Sequence, residues 1–214
     1  VKRAGAAAGR AKAGIVLAHG RGGSAGDILG LLVHAGLPEV AAFAPEAPGN
    51  SWWPTSFLAP SAQMEPFVVA GMGAMRSAVE ALQAEGLERG QIWLGGFSQG
   101  ACLALETFAR EGDGLAGVIA LSGGLVGTSD AGGPAAAELY GHAPKRFDYA
   151  GSRTGGDVWI SVHQRDPHIP LGRVEESEAV LKGLGASVES RVYPGAGHGV
   201  LADDIAAIRS RLNR

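Results

Sequence analysis

The sequence predicts an α/β fold with a mostly parallel central sheet flanked by helices. Three observations carry this. Short apolar runs bounded by turn residues alternate with longer segments whose apolar residues recur every three or four positions, the pattern of strands joined by crossover helices. Several of the short runs are apolar at consecutive positions, as strands covered on both faces must be. Finally, Gly96-Phe97-Ser98-Gln99-Gly100 stands between one such run and a helix-prone segment, where a parallel strand turns sharply into a helix.

Taken in order, the elements are as follows. Gly14 to Ala18 is a continuous apolar run and reads as the first strand; Asp27 to Ala35 has helical spacing. Val40 to Ala44 is the second strand, and Met64 to Ala84 is a long amphipathic helix. Gln91 to Phe97 leads into the glycine-flanked serine and then into the helix Gly100 to Arg110. Leu115 to Leu121 is the next strand. The stretch Val126 to Gly155, rich in Gly, Ala and polar residues, follows neither period and reads as a long excursion above the sheet with a short helix near Pro134 to Tyr140. Val158 to Val162 and Val188 to Val192 are the last two strands, separated by the helix Leu171 to Leu184. The last helix, Asp203 to Leu212, is expected to be capped by Asp203 and ends in basic residues that suit its dipole. No repeat or linker divides residues 1–214, which read as a single domain.

Composition narrows the function classes. The 18 basic and 21 acidic residues are scattered, with a net charge of -3 and no Lys/Arg stripe, so nucleic acid is not an expected partner. No apolar stretch approaches the roughly 20 residues of a bilayer span, and Val1 to Gly14 lacks the apolar centre of a signal peptide. A cytoplasmic location without membrane insertion is the default expectation. The chain starts at Val1 and not at methionine, as trimming of an upstream segment would leave it. The one cysteine, Cys102, has no disulfide or metal-ligand companion and reads as a small buried hydrophobe.

The chemistry is concentrated in four loops at the C-terminal ends of the predicted strands, the edge where open α/β sheets bind ligands. A serine hydroxyl is a weak nucleophile unless it stands clear of its surroundings beside a base. The Ser98 turn supplies the first condition, and it needs small residues at 96 and 100 because strand and helix approach so closely that side chains there would collide. The base is expected on a late loop and its orienting carboxylate before it in the chain. His198 lies in the glycine-rich loop Tyr193 to Gly199, and Asp166 lies in the proline-stiffened turn after Val158 to His163. Acyl transfer also needs donors for a developing oxyanion. The Gln99 amide, next to the serine, is one; the Arg21 amide in His19-Gly20-Arg21-Gly22-Gly23 is the other. A dinucleotide cradle at that loop is disfavoured because Ala25 stands where the third glycine of G-x-G-x-x-G belongs.

These residues resemble the phospholipase/carboxylesterase family, which includes acyl-protein thioesterases, within the α/β-hydrolase superfamily. The matching pieces span most of the chain: Leu17 to Gly22, Gly95 to Gly100, Asp166-Pro167-x-Ile169-Pro170 and Gly197-His198. The resemblance implies a compact serine esterase with little or no lid, using Ser98, Asp166 and His198 with the Arg21 and Gln99 amides. Gln164 departs from the glycine or acid common in that turn, and the region before Gly14 is short for the extra edge strands of larger relatives.

The remaining chemistry-bearing residues have plainer readings. His163 and His168 flank Asp166, but three candidates on one turn rarely converge on an ion, so no metal is expected. His19 is expected to hold its loop by hydrogen bonding. His34 and His142 carry no signal. Trp52, Trp53 and Phe97 are the candidate walls of an apolar substrate pocket, whereas Trp93 and Trp159 belong to strands and the core. The expected activity is cofactor-independent hydrolysis of small to medium acyl esters, with thioesters or lysophospholipids as further substrates. Its rivals are a lactone or carbon-carbon bond hydrolase on the same scaffold, and a binding protein that kept the fold without catalysis. A nucleotide-binding α/β protein ranks behind both. Acyl length, leaving group and oligomeric state are not legible.

Overall fold

In the computed structural model, which describes residues 1–214, seven strands form one sheet. They are β1 (Lys2–Gly5), β2 (Ala13–Ala18), β3 (Val40–Ala44), β4 (Ile92–Phe97), β5 (Gly117–Leu121), β6 (Asp157–Arg165) and β7 (Ser187–Ala196). The sheet order is β1-β3-β2-β4-β5-β6-β7, parallel throughout except for β1 against β3. The helices are α1 (Ala25–Ala35), α2 (Ser61–Ala84), α3 (Gln99–Glu111), α4 (Leu171–Gly183) and α5 (Ala202–Leu212). The α/β reading is therefore correct, and its architecture is that of an α/β-hydrolase.

The consecutive apolar positions of the central strands have a direct explanation. Ile15, Leu17, Trp93 and Ile119 pack on one face against α1 and α5, while Val16, Ala18, Leu94 and Val118 pack on the other against α2, α3 and α4. Both sides of each pleat are dry, so alternation disappears. Helix α1 starts where Ser24 and Asp27 exchange capping bonds: the Asp27 amide donates to Ser24 Oγ, and the Ser24 amide donates to the Asp27 carboxylate. That puts its first turn two residues before the expected start.

Three expectations at the margins need correction. An edge strand, β1, exists in the N-terminal region that looked too short for one. Lys2-Arg3-Ala4-Gly5 carries no apolar signal because it is exposed, and its charges pair outward with Glu46 and Glu85, a common device for protecting a sheet edge. The last helix is not capped by Asp203, which instead pairs with Arg191. Asp204, one residue further into the turn, receives the Leu201 amide. Strands β6 and β7 run past their apolar stretches, since β7 is a half-exposed edge and tolerates polar residues.

The excursion 126–155 has the expected irregular path, and its short helix is a single turn at Ala137–Leu139. Side chains tether it to α3. Arg153 donates to the carbonyls of Phe108 and Ala109, and the Tyr149 hydroxyl donates to the buried Glu106 carboxylate.

Candidate active site

Ser98 occupies the turn between β4 and α3 with φ 55° and ψ -119°, a left-handed conformation that costs a non-glycine residue on the order of 1–3 kcal/mol. The turn is held from both sides: the Ser98 amide donates to Leu121, and its carbonyl accepts from the Cys102 amide. The flanking glycines are required by contact. A Cβ at Gly96 would lie 2.5 Å from the Gly100 carbonyl, and one at Gly100 would lie 2.0 Å from the Ala18 oxygen.

The structure brings Ser98, His198 and Asp166 into one chain of hydrogen bonds. Ser98 Oγ lies 2.8 Å from His198 Nε2. On the other side of the ring, His198 Nδ1 lies 2.8 Å from Asp166 Oδ2 and 3.0 Å from Oδ1. A carboxylate can only accept, so Nδ1 carries the proton and Nε2 is left to accept from the serine hydroxyl. Asp166 Oδ1 also accepts the amides of His168 and Ile169, at 2.8 and 3.0 Å. Burial works to raise the Asp166 pKa, but the bonds from His198 and the two amides outweigh it and hold the carboxyl below its ordinary value.

The imidazole is packed as well as bonded. The Phe97 ring lies 5.0 Å from it, and the His168 ring meets it edge-on at 4.8 Å. The loop bearing His198 rests on His163, whose ring would lie only 2.8–2.9 Å from a Cβ at Gly197. His163 thus supports that loop from below. Tyr140, from the excursion, donates its hydroxyl to the Asp166 carbonyl at 2.6 Å, a brace that the aperiodic sequence of that segment did not signal.

Arg21 and Gln99 meet at the same cleft. Gln99 is the first residue of α3, so its amide has no acceptor within the helix. The Arg21 amide donates to no acceptor in the protein, whereas its neighbours Gly22 and Gly23 donate to Asn50 and Gly20. His19, buried below, hydrogen-bonds the Gly20 carbonyl through Nδ1 and accepts the Ala47 amide at Nε2, which fixes the loop.

The side chains of these two residues both reach the segment 51–55. Gln99 Oε1 accepts the Trp52 amide at 2.8 Å and the Ser51 hydroxyl at 3.3 Å, and its Nε2 donates to the Trp53 carbonyl at 2.8 Å. The Arg21 guanidinium donates to the carbonyls of Pro54 and Thr55.

The cleft over Ser98 has a volume of about 560 Å³. Trp53 and Phe97 line it. Trp52 does not: its indole is buried behind the wall, with Nε1 donating to the His19 carbonyl at 2.9 Å. Of the adjacent pair, only Trp53 lines the cleft over Ser98. Phe57, His168 and Ile169 also line the cleft, and sequence reasoning missed them as pocket residues. Their nearness to Trp53 and Asp166 along the chain was the available signal. Cys102 lies at the cleft floor but is fully buried, and burial pushes its thiol up to about 12. No helix is long and apolar enough to cross a membrane.

Comparison with known proteins finds relatives of the same fold. A crystal structure of a phospholipase/carboxylesterase from Dyadobacter fermentans is 35% identical, with a TM-score of 0.86 over 100% of this chain and 95% of that one. Esterase PE8 is 26% identical, with a TM-score of 0.68 over 99% of this chain and 96% of that one. Acyl-protein thioesterase 1 of Gibberella zeae is 29% identical over 124 residues, which are 58% of this chain and 48% of that protein. The match thus spans about half the length of that curated relative. The profile of the Phospholipase/Carboxylesterase family matches residues 5–133, a span that includes the Arg21 loop and the Ser98 turn. The chain belongs to the phospholipase/carboxylesterase family.

Proposed function

We propose that residues 1–214 form one catalytic unit, a serine esterase that hydrolyses small to medium acyl esters through an acyl-enzyme. The single observation that carries this reading is the unbroken path Ser98 Oγ–His198 Nε2 and His198 Nδ1–Asp166, with both steps at 2.8 Å. In this mechanism His198 Nε2 takes the hydroxyl proton as Ser98 Oγ attacks the ester carbonyl carbon. Asp166 keeps the ring in the required tautomer and stabilises the imidazolium. The negative oxygen of the tetrahedral intermediate is received by the Arg21 and Gln99 amides. Collapse expels the alcohol, which takes its proton from His198. A water molecule, deprotonated by the same nitrogen, then attacks the acyl-serine and releases the acid. Every proton transfer runs through His198, and the steps call on no cofactor.

The cleft's size suits a ligand of modest length, and Trp53, Phe57, Phe97 and Ile169 give it an apolar wall for an acyl chain. The likeness to an acyl-protein thioesterase adds thioesters to the substrates worth testing. The test is hydrolysis of 4-nitrophenyl esters from acetate to octanoate by the wild type and by Ser98→Ala. Turnover in the first and its loss in the second support the reading, and the chain-length optimum measures the cleft. Absence of turnover on every ester would favour lactone or carbon-carbon bond hydrolysis instead.

A further inference from the structure

We propose that the cleft selects esters that also carry a negative charge, a carboxylate or phosphate close to the scissile carbonyl, and that the Arg21 guanidinium recognises it. This rests on the esterase reading above and names its substrate class.

The inference comes from the charge inventory of the cleft. Among its lining residues there is no aspartate, glutamate or lysine, and Arg21 is the one permanently charged side chain. The nearest carboxylate along the reacting chain, Asp166, has a fully buried side chain and is already committed to His198 and two backbone amides. Arg21 itself makes no ion pair. Its two terminal nitrogens donate to the carbonyls of Pro54 and Thr55, neutral acceptors that orient the guanidinium without cancelling its charge. A guanidinium has five N–H groups, so two such bonds leave three free to donate.

Placement makes the charge useful. The Arg21 amide is one of the two proposed oxyanion donors, so the side chain branches from the same residue that would hold the reacting carbonyl, and it is exposed at the cleft. Clamped to a segment that Gln99 also anchors, the guanidinium is already oriented before substrate arrives and forfeits little freedom on binding. The lining contributes further donors: the Ser56 hydroxyl, whose oxygen accepts the Leu58 amide, and the His168 imidazole. A cleft that joins an apolar lining to an unpaired cation suits a substrate with one hydrocarbon part and one anionic end.

The experiment compares matched pairs on the same enzyme. 4-Nitrophenyl hemiadipate is set against 4-nitrophenyl hexanoate for a charge on the acyl side. 4-Acetoxybenzoate is set against its methyl ester for a carboxylate on the leaving group, and 4-acetoxyphenyl phosphate extends that arm to phosphate. The charged member of at least one pair is expected to have the higher kcat/KM, on the order of tenfold, the value of one charge-assisted contact. That preference should shrink in about 0.5 M salt, where exposed charges are screened. It should vanish in Arg21→Gln and persist in part in Arg21→Lys. The ratio within each variant is the readout, so a general loss of activity on substitution cancels. Equal or better turnover of the neutral member in every pair, or a preference that survives Arg21→Gln, overturns the proposal while leaving the esterase reading in place. Failure to turn over either member of any pair overturns both.

Discussion

A Cβ placed on Gly100 would lie 2.0 Å from the Ala18 carbonyl oxygen, so the first turn of α3 sits directly on the end of β2. That contact sets the height of Ser98 above the sheet and the distance between the Gln99 and Arg21 amides. Gly100→Ala cannot be absorbed by rotating a side chain, because the obstacle is backbone. The expected cost is about 3 kcal/mol, the upper end for overpacking. Urea denaturation should show a lower midpoint with unchanged slope, and ester turnover should fall in the protein that remains folded.

Asp166 gives the fold a specific acid sensitivity. Its carboxyl is held below the ordinary value of about 3.9 that it regains on unfolding. The folded state therefore binds this proton less readily than the unfolded chain does. The resulting stability is fully present above the unfolded pKa and is lost as pH falls through the lower, folded one. Asp166→Asn removes the titration, so the acid limb of its stability profile should be shallower than that of the wild type. Urea unfolding between about pH 6 and pH 2 checks this. Ester turnover in the same variant should drop by roughly 10⁴, since an amide can no longer hold His198 in the accepting tautomer.

Glu106 tests what holds the excursion 126–155. Its carboxylate is fully buried and accepts from Arg110 Nε, the Tyr149 hydroxyl and the Val126 amide at 2.7–3.0 Å. Glu106→Ala strands a buried amide and a half-buried phenol, at a cost of about 3 kcal/mol. Tyr149→Phe removes one bond and should cost about 1 kcal/mol. If the two act through one network, the double variant will be less destabilised than the sum of the singles, which thermal or urea unfolding will show.

What the sequence made legible follows the physics of each signal. Ser98, Asp166 and His198 could be read because each sits in a short loop whose glycines or prolines mark a forced turn at the same sheet edge. The central strands could be read because burial on both faces leaves continuous apolar runs. The edges could not. Lys2–Gly5 and the ends of β7 pair on one side only and are exposed, so nothing in their composition demands a strand. The pocket was half legible for a similar reason: Trp52 and Trp53 are chemically identical, and only the bonds from Gln99 and His19 decide which indole turns toward Ser98. Tyr140 and Arg21 act through bonds to backbone carbonyls distant in sequence, a kind of contact that leaves no pattern in the chain.

The central claim is that Ser98 is a nucleophile activated by His198, and covalent labelling tests it most directly. The protein is exposed to a fluorophosphonate, and the adduct is located by intact mass and peptide mapping. The account predicts one adduct per chain, on Ser98, absent in Ser98→Ala and formed far more slowly in His198→Ala. Labelling at another residue, or labelling of Ser98 at an undiminished rate in His198→Ala, would contradict it.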